Sequence, residues 1–332
     1  MANFYGSYTG FGSGGAAGGL NSMLTAGTTY GYWAGGQGQD DRIEKLTFAS
    51  TSNSVDSGAD LAQGRSNVAG AHNLTHGIGF GGHSNGDFIQ TYPMNTSTNA
   101  SDVGNLTVGR ISPMAASTTL FSYCMGGLHT GTGTNHVTID KVDNSSISNA
   151  TDVADLNTGR SDGVAGSSEF AIYSMGGLAT SSITYVNDKM LLATEANAAQ
   201  VATTGNGYGQ GEWSYGFQFI YEVGGSHQYS FARTNRGISR MDTTTDSNTA
   251  GGFGTLSLNG PSNPAYYGYG RHSGACVHST THGFISGGTS SAGGGTWNSI
   301  EKYDFSSTSN SADMADLSVA QYDHSQNWNY GV

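Results

Sequence analysis

The sequence has little charge, little cysteine and no long apolar run. Charged residues are 11% of the 332 residues, and the formal net charge is −12. An acidic chain without a basic stretch is poorly suited to a phosphate backbone, so we expect no nucleic-acid partner. No apolar run approaches the roughly 18 residues that a membrane-spanning helix needs, so we expect no membrane span.

Proline is also scarce, with 4 residues, whereas aromatic residues reach 11%. That aromatic content can supply a packed core, so the low charge does not indicate disorder over most of the chain. Serine, threonine and asparagine take the place of charged residues on the surface. This composition is more natural in a protein embedded in a larger assembly than in a free cytosolic enzyme.

Glycine is abundant, with 53 residues, and part of it recurs as a doublet that ends a short apolar run. The first glycines of successive doublets lie 45 to 63 residues apart. A period of this size, in a chain with few helix signals, predicts an all-β propeller built from small antiparallel sheets. The doublets are Gly35-Gly36, Gly81-Gly82, Gly126-Gly127, Gly176-Gly177, Gly224-Gly225 and Gly287-Gly288.

An arginine recurs in phase with the doublets. It follows a glycine and stands 16 residues before a doublet at Arg65, Arg110, Arg160 and Arg271. The unit predicts four strands: a after the arginine, b before the doublet, c after the doublet, and d before a repeated leucine. We expect the doublet to make a sharp turn, and the arginine to bond loop carbonyls between blades in a structural role.

The first unit lacks its own strand a, and the other end of the chain supplies a match. Residues 317–321 repeat the step that elsewhere leads into the arginine, with Gln321 at the arginine position. We therefore predict that residues 322–329 form strand a of blade one beside a strand b at 29–34. The result is a six-bladed propeller over residues 29–332, closed by its C-terminal strand, after a glycine-rich arm at residues 1–28.

The two cysteines then fall in opposite blades. Cys124 lies in strand b of blade three and Cys276 in strand a of blade six. This separation is too great for a disulfide, so both are interpreted as small buried hydrophobes.

Two further motifs have explanations within the repeat. Residues 77–82 fit the dinucleotide pattern G-x-G-x-x-G, but they form a strand b with no helix after it. His72 and His76 recur as His278 and His282, with His272 and Cys276 nearby. We interpret these histidines as polar turn residues and predict no metal and no cofactor.

Paired aspartates precede the repeated leucine in several units. A glycosidase needs one acid and one base at a single site, not copies round a ring. We interpret these aspartates as turn caps and predict no catalytic residue. The pairs are Asp152 with Asp155, Asp313 with Asp316 and, more loosely, Asp56 with Asp60.

Features that do not repeat are the better candidates for function. The arm begins with four aromatic residues that we interpret as an anchor: Phe4, Tyr5, Tyr8 and Phe11. Tyr208 takes the arginine position in one unit, which we assign to blade four, and the fifth unit has an insertion at 257–269. Aromatic side chains in such segments suit stacking on sugars or on another protein. The binding candidates are Trp213, Tyr266, Tyr267, Tyr269 and Trp297, and filling a core gap is the alternative for each tryptophan.

The arginine that opens strand a and the doublet that closes strand b resemble kelch-type propellers, although the usual tryptophan late in the unit is absent. The chain resembles more closely the kelch-like repeat proteins of tailed, marine-type bacteriophages. Residues 97–110, Ser-Thr-Asn-Ala-Ser-Asp-Val-Gly-Asn-Leu-Thr-Val-Gly-Arg, and residues 300–317 carry this resemblance, which covers about residues 30–332.

The resemblance implies a virion structural protein of a tail, fibre or capsid appendage, made in the host cytoplasm. Such a protein would be present in several copies in a symmetric assembly. It would contact other virion proteins and host-surface glycan. The alternatives are a polysaccharide-active enzyme of the propeller type, either a lyase or a hydrolase, and a free lectin. Fold alone does not choose among them.

Overall fold

The computed structural model describes residues 29–83, 86–96, 98–129, 131–179, 182–203, 212–215, 219–224, 237–257, 271–289, 295–323 and 326–330. Every regular element in these ranges is a β-strand. In chain order the strands are β1 (Tyr30–Ala34), β2 (Arg42–Thr47), β3 (Val55–Asp60), β4 (Ala69–His72), β5 (His76–Phe80), β6 (Phe88–Pro93), β7 (Ser101–Asn105), β8 (Met114–Ser117), β9 (Phe121–Met125), β10 (Thr138–Asp143), β11 (Thr151–Asp155), β12 (Val164–Ser167), β13 (Ala171–Met175), β14 (Leu178–Ala179), β15 (Ser182–Ile183), β16 (Val186–Leu191), β17 (Ala199–Thr203), β18 (Glu212–Tyr215), β19 (Phe219–Val223), β20 (Gly237–Asp242), β21 (Ser247–Thr255), β22 (Ala275–His278), β23 (His282–Ser286), β24 (Ser299–Asp304), β25 (Ala312–Asp316) and β26 (Gln326–Tyr330).

The strands form six four-stranded antiparallel sheets, which confirms the six-bladed propeller predicted from the repeat. In blades 1 to 6, strands a to d are β26-β1-β2-β3, β4-β5-β6-β7, β8-β9-β10-β11, β12-β13-β16-β17, β18-β19-β20-β21 and β22-β23-β24-β25. The six a strands contact one another in a closed ring around the central axis. The short hairpin β14–β15 lies between strands b and c of blade 4.

The C-terminal strand completes blade 1, as predicted. β26 pairs antiparallel with β1, from Tyr30 opposite Tyr330 to Ala34 opposite Gln326. It also contacts β4 and β22, the inner strands of blades 2 and 6. The two ends of the propeller therefore share one sheet, and this closure removes the free edge that an open ring would have.

The hydrophobic core is divided among the six interfaces between blades. Each of the six buried clusters joins side chains of two neighbouring blades. Between blades 1 and 2, for example, Tyr32 packs against Tyr92 with ring centroids 5.5 Å apart, and its hydroxyl donates to the Met94 carbonyl. A blade thus buries its apolar faces only when both neighbours are present, so stability depends on the complete ring.

The glycine doublets serve the contact between blades as well as the turn. Gly126 has a φ of 60° and Gly127 a φ of 100°, and residues that carry a side chain rarely adopt such positive values. A Cβ on Gly126 would lie 2.4 Å from the carbonyl oxygen of Arg160 in the next blade. The Gly127 amide donates to that same carbonyl at 2.8 Å. Glycine is needed here for its backbone conformation and for the close approach of the next blade.

A repeated asparagine, which was not predicted from the sequence, forms a second link between blades. In the turn before strand d, the asparagine side chain accepts a hydrogen bond from the backbone of strand d in the preceding blade. Asn149 Oδ1, for example, accepts from the Asn105 amide at 2.9 Å. The same contact is made by Asn53, Asn99, Asn197 and Asn310. The Ser/Thr/Asn-rich turn before strand d therefore contains one asparagine that connects its blade to the preceding one.

The connections divide between two faces of the ring, because the strands alternate in direction. One face carries the a–b turns and the c–d turns, and Thr29, which follows the arm, lies there at the start of β1. We call it the arm face. The other face carries the b–c and d–a connections, including the join to the insertion between Ser257 and Arg271. We call it the insertion face.

Candidate functional site

Three of the repeated arginines form buried ion pairs within their own blades. Arg110 pairs with Asp140 of β10, and both side chains are 0% exposed. Arg110 also donates to the Thr138 carbonyl at 3.1 Å, in the same strand. Arg160 pairs in the same way with Asp188, and Arg271 with Glu301. The prediction that the arginine side chain bonds carbonyls between blades is wrong, because its partners, carbonyls included, lie in its own blade. The contact between blades is made by the arginine's main-chain carbonyl.

Blade 2 and blade 5 depart from this pairing in opposite ways. In blade 2 the residue at the carboxylate position is Gln90, which carries no charge. Arg65 donates instead to the Gln63 side chain and to the His83 carbonyl. Its guanidinium also lies 3.7 Å from the centroid of the Phe88 ring. In blade 5 that position is Ser239, and the buried acid is Glu222 on the neighbouring strand b. The Ser239 hydroxyl donates to the carboxyl of Glu222 at 3.2 Å. Burial raises the pKa of Glu222 to about 8.

The raised pKa of Glu222 predicts a pH-dependent stability. In the unfolded chain this group loses its proton near its ordinary pKa of 4.5, whereas the folded chain keeps it to about pH 8. Its contribution is therefore complete below pH 4.5 and is lost as pH rises to 8, by up to about 1.4 kcal/mol per pH unit. Glu222→Gln, which resembles the neutral acid, should remove this part of the pH dependence of urea unfolding. Equal slopes for the two proteins between pH 5 and 8 would contradict it.

Polar residues lie at both ends of the inner a strands. Toward the insertion face, residues with positive φ link the blades through their backbones, with Ser112 N donating to the Asn67 carbonyl and Asp162 N to the Ser112 carbonyl. The Asp323 amide donates to the Ser273 carbonyl in the same way. Burial, together with the charge of Asp162 in the opposite blade, raises the pKa of Asp323 to about 6. These backbone hydrogen bonds tie the inner strands of the blades together.

Toward the arm face, the inner strands of blades 2 and 6 end in two histidines that were interpreted from sequence as turn residues. His72 and His278 end β4 and β22 and are buried, and desolvation lowers their pKa values to about 3 and about 4. Both imidazoles are therefore neutral at neutral pH. His76 and His282 do lie at the a–b turns, where the Nδ1 atom of each ring contacts the hydroxyl of the preceding threonine. In the described part of the chain no group of three His, Cys, Asp or Glu side chains is placed to hold a metal ion.

The paired aspartates lie within strands and not in the turns between strands, although Asp56 makes the local contact of a cap by accepting from the Gly58 amide at 2.9 Å. Asp152 and Asp155 lie within β11, and Asp313 and Asp316 within β25. Asp56 and Asp60 lie within β3. Each of these strands is the outer strand d of its blade. Charged side chains on an exposed edge discourage pairing with another sheet, which is a physical reason for acids at this position. The three pairs lie on three separate blades.

The predicted binding residues are only partly within the described ranges. Trp297 is buried, with its ring centroid 4.8 Å from the Arg271 guanidinium, so it packs in the interior of blade 6. This is the core-filling alternative that the sequence left open. Trp213 lies in β18, and its side chain is outside the description. Tyr266, Tyr267 and Tyr269 lie outside the described residues, as do the anchor residues Phe4, Tyr5, Tyr8 and Phe11. Both cysteines are buried, in blades 3 and 6, and they form no disulfide.

A groove on the arm face is the candidate binding site among the described residues. It lies between blades 2 and 3, has a volume of about 410 Å³, and is lined by Asn73, Leu74, Thr75, Thr119, Leu120, Phe121, Asp143, Asn144 and Ser145. Leu74 is 54% exposed and Leu120 is 38% exposed. Phe170 stands at the equivalent turn of blade 4 and is 69% exposed. Apolar side chains thus protrude from three consecutive a–b turns.

The polar wall of this groove is already hydrogen-bonded. Asn73 donates to the Asn144 carbonyl across the blade boundary at 3.1 Å. Asn144 donates to the Thr118 carbonyl and accepts from Ser122. Asp143 accepts from the amide and hydroxyl of Ser145. These bonds fix the turns that present Leu74 and Leu120, so the groove is preformed and offers mainly apolar contact. The groove could not be predicted from the sequence, because one a–b turn resembles another until neighbouring blades are placed side by side.

A scan against protein-family models finds no match for this chain, and a search of the curated proteins finds none either. No helix in the described ranges is long and apolar enough to cross a membrane.

Proposed function

We propose that this chain is a non-catalytic structural protein of a tailed bacteriophage particle, in the tail, a fibre or a capsid appendage. In this proposal residues 1–28 attach the propeller to other virion proteins, and the opposite face meets host-surface glycan. One observation carries the proposal: the arm and the insertion join the propeller on opposite faces. A rigid ring with one non-repeated segment on each face suits a protein that is held on one side and makes contact on the other.

The chemistry of the repeated side chains also supports a binding role over catalysis. The buried carboxylates Asp140, Asp188 and Glu301 are each held by an arginine of the same blade. The exposed aspartate pairs are distributed over the outer strands of separate blades. These groups are accounted for by stability of the ring and protection of its edges. The low charge and the resemblance to kelch-like phage proteins add support of a weaker kind.

Removing residues 2–25 should leave a folded, soluble propeller that no longer joins phage particles. The melting temperature should stay close to that of the full chain, because β1 and its partners are intact. Incorporation is measured by blotting purified particles made with each form. A matched control replaces Tyr266, Tyr267 and Tyr269 with serine in the full chain, and this variant should still be incorporated. Incorporation of the truncated form would show that the arm is not the anchor.

The same preparations separate the alternatives. Depolymerisation of a host polysaccharide by the purified protein would favour the enzyme. Glycan binding by a full chain that never associates with particles would favour a free lectin. The first result would overturn the non-catalytic role, and the second would overturn the virion role.

A further inference from the structure

We propose that the aromatic start of the arm, residues 4–11, docks in the groove between blades 2 and 3 of its own propeller. The occupant is thus a segment of this chain outside the described residues. The proposal concerns the free protein and does not depend on a role in a phage particle.

The place where the chain leaves the propeller supports this occupant. Thr29 lies on the arm face in blade 1, where its carbonyl accepts from the Phe48 amide. Blade 2, which carries Leu74, is the next blade in the ring. Residues 12–28 join Phe11 to Thr29 and are rich in glycine, alanine and serine. A flexible chain of this length has a root-mean-square span of roughly 22 Å and a fully extended reach of about 55 Å.

The chemistry of the two partners matches. Residues 1–28 contain no Asp, Glu, Lys or Arg, so docking would remove no charged side chain of the arm from water. The groove offers Leu74, Leu120 and the Phe121 ring between polar turns. One aromatic side chain can fill such a site while a tyrosine hydroxyl stays at its polar rim. A short tether also raises the effective concentration of the arm to about the millimolar range, so weak contacts suffice.

Limited proteolysis of the full chain tests the proposal. Chymotrypsin cuts after Phe and Tyr, and mass spectrometry follows cleavage within residues 4–11. We expect Leu120→Asp and Leu74→Asp to speed this cleavage about tenfold, which corresponds to about 1.4 kcal/mol. The matched control is Phe170→Asp, which removes a more exposed apolar side chain of the same face outside the groove. The arm of this variant should be cleaved at the same rate as the arm of the wild-type chain.

Two measurements keep the result unambiguous. Thermal melts should show that the variants remain folded, since Leu74 and Leu120 lie in exposed turns. Hydrogen exchange of the wild-type chain should show slowed amides at 119–121 that speed up in a chain lacking residues 2–11. Equal arm cleavage in wild type and Leu120→Asp would overturn the proposal. Protection that grows with protein concentration would also overturn it, because the arm of a second copy would then be the occupant.

Discussion

A chain that ends at residue 323 should melt on the order of 10 °C below the full chain, because blade 1 loses its inner strand. β26 supplies the hydrogen-bonding partner of β1 over five residue pairs, and it bridges β4 and β22. At about 1 kcal/mol for each hydrogen bond that is lost, the cost is on the order of 5 kcal/mol before the apolar contacts are counted. Differential scanning calorimetry at one protein concentration measures the shift.

Deleting only residues 331–332, which follow β26, is the matched control and should leave the melt unchanged. Should the shorter chain be insoluble, it can be refolded with a synthetic peptide of residues 320–332, which should restore the fold by supplying strand a in trans. An unchanged melting temperature for the chain ending at 323, or no effect of the peptide on an insoluble one, would contradict the role of β26 in closing the ring.

Asp140→Asn should cost about 3–5 kcal/mol of unfolding free energy, because it leaves the Arg110 guanidinium buried without its carboxylate. Both side chains are 0% exposed, so water cannot replace the lost partner. Urea unfolding followed by tryptophan fluorescence measures the loss. The double variant Arg110→Met with Asp140→Leu should recover most of it, since a buried ion pair can be replaced by well-packed apolar side chains.

Asp152→Asn is a close control for this experiment. Asp152 lies directly opposite Asp140 in the register of β10 and β11, but it is exposed on the edge strand. Partial desolvation is the first cause that raises the pKa of Asp152, and the like charge of Asp140 is the second. Removing the charge of Asp152 should therefore change stability by about 0.5 kcal/mol or less. Equal losses for Asp140→Asn and Asp152→Asn would show that the ion pair does not stabilise the blade.

Residues that repeat with the blade could be recognised from sequence, but their partners could not. Arg110 stands out because its spacing to Gly126 recurs in other units. Asp140 follows it by 30 positions, and the equivalent residue in the other five blades is Glu in two, Asp in one, Gln in one and Ser in one. A position with such varied side chains gives no repeat signal. Its importance comes from lying beside a buried guanidinium, which only the pairing of strands a, b and c brings about.

The histidines illustrate the same limit. His72 and His76 recur together, and the spacing alone suggests one shared environment for both. In the folded protein His76 is partly exposed at a turn, while His72 is buried at the end of the inner strand β4, where desolvation lowers its pKa to about 3. The two environments differ because His72 ends an inner strand and His76 begins the next strand outward. The spacing of the histidines in the sequence does not show this difference.

By itself, the sequence determined the number of blades, the four strands in each and the closure by the C-terminal strand. It could do so because turn glycines and alternating apolar runs are local requirements, and the ring repeats them at a readable interval. The tertiary structure alone decided which acid meets each arginine, which asparagine meets the preceding blade, and where the arm-face groove lies. Each of these depends on contacts between segments far apart in the chain, and their geometry exists only after neighbouring blades have packed together.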